Sequence, residues 1–326
     1  MAGRPAPDLP LYRRFPALQS IPRVGLCTLP SPVMSGGEIH PRLWIKRDDL
    51  NATAFGGNKA RSLEFLLGEV REGDTVLTIG GEGSTHVLAT AVHARSLGAD
   101  TVAMRWKHDM NPGAISVSEL ISRSATGPLS SNAVFAIARA LAHRLRRRVH
   151  YVPLGGSTPL GVLAQVNAGL ELAEQIAAGE LPAPARVVLP LGSGGTTAGL
   201  ALGFAIAGLD IEVVGARVAP RLAANRRRVR KLADGAGKLI LHKTGEHVPP
   251  VSRGLVRVVH DAFGGAYGRI LPGSQEAAKQ LFDAYAIMLD STYSAKAFVA
   301  ALAAARELEG PTLFWLTFDG RCLDAG

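Results

Sequence analysis

The sequence predicts an α/β protein with mainly parallel sheets. Two observations carry this. Short apolar runs alternate with helical patterns along most of the chain, and glycine- or hydroxyl-bearing loops follow three of those runs, at 80–86, 192–197 and 317–320. Alternation of this kind builds strand–helix–strand crossovers, and ligands collect where loops leave the carboxyl ends of parallel strands. With 326 residues the chain has length for about two lobes, and its 47% hydrophobic, 19% charged composition is that of a globular protein.

Taken in order, "RLWIKRDD" (42–49) reads as a strand. Residues 58–73 read as a helix, with Leu63, Leu66, Leu67 and Val70 at helical spacing. "DTVLTIGG" (74–81) is a strand running into glycines, and 84–99 is a helix opening on Ser84 and Thr85, both natural N-cap types. A strand at 100–106, a helix from 111, a loop near "TGPLSSN" and a helix at 132–148 follow. Then come a strand at 149–156, a long helix at 159–179, and a strand, glycine loop and helix from 185. A strand at 211–218 and a helical pattern from 221 lead to "HKTGEHVPPVSRG", which has no clear period. Helices at 274–290 and 294–310 and a strand at 312–318 close the chain.

Several function classes are disfavoured. Cys27 and Cys322 lie near opposite ends and have neither a disulfide pattern nor metal-ligand spacing, so no metal is expected and a reducing cytoplasm is the simple reading. The N-terminus shows no apolar signal core. Residues 187–209 carry no charge, but "GSGGTT" breaks them into strand, loop and helix, so no membrane span is expected. The net charge is +9, with arginine clusters at 143–148 and 225–231. Aromatics are 6% and none interleave with these clusters, so they read as solvated helix faces and no nucleic-acid partner is expected.

The loops carry the chemistry. In "LPLGSGGTTAGL" (189–200), glycines allow close approach and the following helix aims free N–H groups back at the loop, while Ser193, Thr196 and Thr197 add hydroxyls. This predicts a phosphate cradle; a glycine turn with helix caps is the alternative on this loop alone. "TIGGEGSTHVLATA" (78–91) repeats the arrangement for a carboxylate, with His86 as either site group or core residue. In "AFGGNKARSLEF" (54–65), Lys59 follows a glycine pair that is able to aim it inward. Tyr293 and Ser294 open the helix of "MLDSTYSAKAF", and Tyr267 lies in "GGAYGR". Asp48 and Asp49 are flanked by Lys46 and Arg47, which favours a turn or salt-bridge role over acid/base work. A phosphate cradle without a magnesium motif, plus a glycine-aimed lysine, points to pyridoxal 5'-phosphate: amine for the Schiff base, loop for the phosphate.

The ordered set "IKRDDLNATAFGGNKARSLEFLL", "GGEGSTHVLATA", "VPLGGSTPLG", "LGSGGTTAGLALG", "GAYG" and "LDSTYSAKA" resembles the fold-type II pyridoxal-phosphate enzymes. Within them it resembles the D-cysteine desulfhydrase and 1-aminocyclopropane-1-carboxylate deaminase group, over roughly residues 40–320. The resemblance implies a tryptophan synthase β-like fold with two open twisted sheets and the cofactor in the cleft. The larger lobe would comprise 1–52 and 166–326, and the smaller 53–165. It implies Lys59 as the Schiff-base lysine, and Ser84, Tyr293 and Tyr267 as catalytic or substrate-facing groups. Asn58, Thr85, Ser193, Gly194, Gly195, Thr196, Ser294 and Thr317 would hold the cofactor. Ser84, Thr85, His86, Ser157 and Asp319 would meet the substrate.

Some positions depart from the family pattern. "GSTH" stands for "QSNH", Ser62 stands where a lysine near the phosphate is common, and "LTFDG" stands for "HTGG". Ser294 stands where the deaminases carry a glutamate. The expected activity is a lyase or deaminase acting on a small amino acid, giving a 2-oxo acid and ammonia, in a cytoplasmic homodimer. Replacement, cyclisation or racemisation on the same cofactor, and a non-catalytic binding homologue, are the alternatives. A hydroxyl of Ser294 or Thr317 beside the pyridine nitrogen would favour elimination; Asp319 there would support a longer-lived carbanion.

Overall fold

Strands here are short and apolar because both faces of each sheet are covered by helices. The computed structural model describes residues 8–265 and 268–323. In chain order the elements are α1 (Pro10–Arg14), β1 (Val33–Ser35), β2 (Leu43–Arg47), α2 (Asn58–Leu66), β3 (Thr75–Gly81), α3 (Thr85–Ser96), β4 (Asp100–Trp106), α4 (Pro112–Ser124), β5 (Leu129–Ser130), α5 (Ala133–Arg146) and β6 (His150–Val152). They continue with α6 (Pro159–Ala177), β7 (Arg186–Leu191), α7 (Gly195–Ala207), β8 (Glu212–Arg217), α8 (Arg226–Thr244), β9 (Val256–Val259), α9 (Ser274–Tyr285), α10 (Ser294–Glu307) and β10 (Thr312–Leu316).

Two sheets form. One has the order β1-β2-β10-β7-β8-β9 and is parallel except for the β1–β2 pair; the other, β5-β4-β3-β6, is wholly parallel. The last strand, β10, inserts between β2 and β7, so both ends of the chain build the larger sheet. The smaller sheet uses strands from the middle of the chain. The α/β class with mainly parallel sheets is therefore observed.

The differences from the sequence reading are local. The 149–156 strand stops at Val152, because Pro153 lacks an N–H and Gly155 turns with φ +68°. The 58–73 helix ends at Leu66, and Gly68 then packs against Pro22, whose carbonyl leaves no room for a side chain. The 274–290 helix ends at Tyr285, where Ala286 takes a left-handed φ of 53°. β1, β5 and β9 were not read from the sequence.

One buried ion cluster ties these parts together. Arg61 of α2 donates to both oxygens of Asp48, at 2.9 and 2.7 Å, and to Glu171 Oε2 of α6 at 2.9 Å. Lys46 of β2 meets Glu171 Oε1 at 2.6 Å and also Gln175. Ser31 Oγ and Trp315 Nε1 of β10 donate to the two Asp48 oxygens at 2.7 and 2.8 Å. The aspartate–arginine pairing agrees with the structural role read for Asp48, while Asp49 pairs with Arg47 at 2.7 Å.

Burial alone would raise the Glu171 carboxyl, but Arg61 and Lys46 outweigh it and hold it at about 2, below the usual 4.5. A depressed folded-state value means the contribution is present above the unfolded value and is lost as pH falls from about 4.5 through about 2. Glu171→Gln leaves Arg61 and Lys46 short of a counter-charge. It should destabilise by about 3 kcal/mol in denaturant titrations at neutral pH and flatten the acid limb over that window. A loss below about 1 kcal/mol would contradict the role assigned to the cluster.

Candidate active site

The site grows from the turn before α2. Gly57 has φ +107°, and a Cβ there would lie 2.4 Å from the Thr317 carbonyl oxygen, so only glycine fits. Its N–H donates to the Asp48 carbonyl at 2.7 Å and to Asn51 Oδ1 at 3.0 Å, and Asn51 Nδ2 returns to the Gly57 carbonyl at 3.1 Å. The Asn58 N–H donates to the Thr317 carbonyl at 3.1 Å. With the turn fixed on one side and Arg61 on the other, Lys59 faces the cleft between the sheets. Its Nζ donates to the Gly155 carbonyl at 3.1 Å. Burial away from compensating charge pulls its pKa down to about 8.

A cavity of about 560 Å³ opens around Lys59. Its wall includes Asn58, Lys59, Ser84, Thr85, His86, Ser193, Gly194, Gly195, Thr196, Tyr293 and Thr317, gathered from four helices or their leading turns and from the end of β10. The described wall contains no carboxylate. Ser84 is the N-cap residue of α3, yet its hydroxyl makes no capping bond and stays available to the cavity. His86 is buried, with Nε2 3.3 Å from Thr78 Oγ1; burial and then the charge of Lys59 push its pKa down to about 3, so it is neutral at physiological pH.

The 192–197 loop leads into α7, with Gly194 as its left-handed N-cap at φ +89°. Asn58 Nδ2 donates to Thr196 Oγ1 at 2.7 Å, and Ser157 Oγ donates to Ser193 Oγ at 2.7 Å. Gln165 Nε2 donates to the Asn58 carbonyl at 2.7 Å and to Ser62 Oγ at 3.0 Å. Ser62 Oγ in turn donates to the Gly161 carbonyl. Thr197 is 1% exposed and lines the cavity, and its Oγ1 has no hydrogen-bond partner among the described residues.

Not every expected residue reaches the cavity. Asp319 does not: its Oδ2 accepts from the Gly56 N–H at 3.0 Å and from Arg321 Nη2 at 2.7 Å. It is a brace for the lysine turn, and the substrate contact expected of it is corrected accordingly. Phe318 packs edge-on against Phe55 at 5.8 Å, which gives the "FD" departure a structural purpose. Ser294 is fully buried outside the cavity wall, with its N–H on Asp290 Oδ2 at 3.0 Å, so of the two residues Thr317 is the one that lines the cavity. Ser157 supports the phosphate-type loop from outside the wall. Tyr267 lies outside the described residues. The sequence reading missed Gly155, Trp106 and Arg228 on the wall; of these, Arg228 was visible as one of an arginine run, without its direction.

Tested against this donor set, pyridoxal 5'-phosphate fits. An amine with lowered pKa stands near an anion cradle built from the α7 N-terminus and the hydroxyls of Ser193, Thr196 and Thr197, the last buried and without a partner among the described residues, and the described wall has no carboxylate to repel a phosphate. Among the described residues no cluster of three or more His, Cys, Asp or Glu is placed to hold a metal ion, and no helix is long and apolar enough to cross a membrane. An amine with pKa about 8 is about one-tenth neutral at pH 7. Covalent uptake of pyridoxal 5'-phosphate by the cofactor-free chain should therefore accelerate with pH and level off above about 8, followed by stopped-flow absorbance. A rise that continues to the usual lysine value near 10.5 would contradict the burial effect.

Comparison with known proteins agrees with this geometry. The chain is 36% identical to nocardicin C-9' epimerase of Nocardia uniformis subsp. tsuyamanensis, covering 94% of this chain and 95% of the relative. It is 32% identical to D-cysteine desulfhydrase of Salmonella choleraesuis, covering 91% and 94%. A solved structure described as an ACC deaminase homologue superposes with a TM-score of 0.78 at 27% identity, covering 96% of this chain and 95% of the other. The model of the family described as pyridoxal-phosphate dependent enzyme matches residues 27–317, and the chain belongs to that family, with its fold-type II architecture and its cofactor.

Proposed function

We propose that the protein is a pyridoxal-phosphate dependent lyase of the deaminase and desulfhydrase kind, releasing a 2-oxo acid and ammonia from a small amino acid. The observation that carries this is a lysine amine of pKa about 8 sharing a cavity with a free serine hydroxyl and, among the described residues, no carboxylate. The cofactor, when bound, supplies an electron sink for a bond broken at the substrate's α-carbon. Lys59 would hold the cofactor's aldehyde, and its Nζ, when uncharged, would serve as the base for the substrate's α-proton. With a β-substituent leaving, Lys59 or Ser84 would return a proton to the resulting enamine, and hydrolysis of the imine so formed by solvent water would give the 2-oxo acid and ammonia. The N–H groups opening α3 and the Ser84 and Thr85 hydroxyls receive the substrate carboxylate. Neutral His86 leaves that pocket uncharged, and Tyr293 closes it. Thr317, a neutral residue on the wall, would meet the cofactor's ring nitrogen, and a neutral partner there would favour elimination over a long-lived carbanion. The larger lobe is assigned 1–52 and 166–326, the smaller 53–165, and the assembly is a cytoplasmic homodimer, which light scattering tests.

A second reading is inversion at the α-carbon. It is favoured by the 36% identity to an epimerase and by two proton-carrying groups, Lys59 and Ser84, on one cavity. A panel of D- and L-amino acids separates the two. Pyruvate or another 2-oxo acid with ammonia is the expected product. Solvent deuterium exchange at the α-carbon without release would replace elimination by inversion. Ser84→Ala should lower kcat about 100-fold while leaving the visible absorbance of the lysine-linked cofactor intact. An unchanged kcat would remove Ser84 from proton transfer.

A further inference from the structure

Arg228 stands at the anion end of the cavity, and the mechanism above does not use it. It lies in the first turn of α8, in a run whose neighbours Arg227 and Arg230 are exposed. Its Nε donates to the Ser193 carbonyl at 2.9 Å, and its side chain shares the wall with Ser193, Gly194, Gly195 and Thr196. Among the described residues no carboxylate forms an ion pair with it.

Among the described residues the remaining donors at that end are neutral: backbone N–H groups of α7 and the hydroxyls of Ser193, Thr196 and Thr197, of which Thr197 Oγ1 is buried without a partner there. From α2 no second cation arrives, because Ser62 turns its hydroxyl to the Gly161 carbonyl. The described wall thus holds two Lys or Arg side chains, Lys59 and Arg228, and Lys59 is committed to the aldehyde carbon. A phosphate dianion seated on neutral donors alone keeps most of its charge uncompensated in a half-enclosed site. A guanidinium is the group best suited to such an oxyanion, since it offers paired N–H donors in a fixed fork.

We propose that Arg228 is a phosphate-binding residue, closing on the cofactor's phosphate from α8 while its Nε holds the loop through Ser193. This rests on the reading that the 192–197 loop receives that phosphate.

The test titrates the full chain, freed of cofactor, with pyridoxal 5'-phosphate and separately with pyridoxal, which lacks the phosphate. Arg228→Gln should weaken pyridoxal 5'-phosphate binding about tenfold or more and leave pyridoxal binding unchanged. Unchanged pyridoxal binding also reports an intact fold. Arg228→Lys, which keeps the charge, should recover much of the loss. Wild-type affinity for pyridoxal 5'-phosphate should fall more steeply with added potassium chloride than that of Arg228→Gln. Equal affinity of wild type and Arg228→Gln for pyridoxal 5'-phosphate overturns the proposal. So does an equal loss for both ligands, which would make Arg228 a structural support. Failure of the wild type to distinguish pyridoxal 5'-phosphate from pyridoxal would instead remove the phosphate reading of the loop, and the proposal with it.

Discussion

The contact of Arg61 with Asp48 and Glu171 is the constraint on which the site depends. Arg61 lies two residues past Lys59 on the same short helix and is 1% exposed. A buried guanidinium is tolerated only when its donors are met by charge, and here two carboxylates from β2's exit and α6 meet it. Because the partners sit on different elements, satisfying one charge fixes the rotation of α2, the end of β2 and the position of α6 together. The orientation of Lys59 follows from that fixed rotation. An apolar contact of the same area would hold α2 in place without specifying its angle so narrowly, since hydrophobic burial is non-directional.

The second constraint comes from the far end of the chain. Asp319 accepts from the Gly56 N–H, and Arg321 joins the same carboxylate while donating to the Asp49 carbonyl at 3.0 Å. Phe318 pairs with Gly57 in a backbone bridge and with Phe55 through its ring. The turn that delivers the lysine is therefore clamped by the loop after β10, the strand placed centrally in the larger sheet. This also removes the acid from the cavity. One loop sets both the position of the nucleophile and the uncharged character of the wall facing it.

Much of this was legible in the sequence because it is local. Alternating apolar runs give the α/β class, the glycine–hydroxyl loop before α7 gives the anion cradle, and the glycine pair before Lys59 gives an inward-aimed amine. What was not legible depends on partners distant in the chain. Asp319 was read as a substrate contact, since its partner at Gly56 lies 263 residues away and leaves no local trace. Arg228 was visible as one charge in a run of four arginines and a lysine between 226 and 231, with nothing local to show which one turns inward. β9 escaped because "HVPPVSRG" before it carries little periodicity and the strand itself is mostly half-buried. Ser294 illustrates the opposite error: its helix-start position was read well, but it is buried behind the wall, and of the two residues Thr317 is the one that lines the cavity.

The account turns on which amine meets the cofactor. Lys296 is a real competitor: it is 1% exposed, its Nζ has no hydrogen-bond partner among the described residues, and burial lowers its pKa. It lies on α10 away from the cavity wall, whereas Lys59 lines that wall. Borohydride reduction of the cofactor-loaded protein, followed by peptide mass mapping, separates them directly. The expected result is one pyridoxyl adduct, on Lys59 within "AFGGNKAR". An adduct on Lys296, or on a surface lysine with Lys59 unmodified, would contradict the site described here.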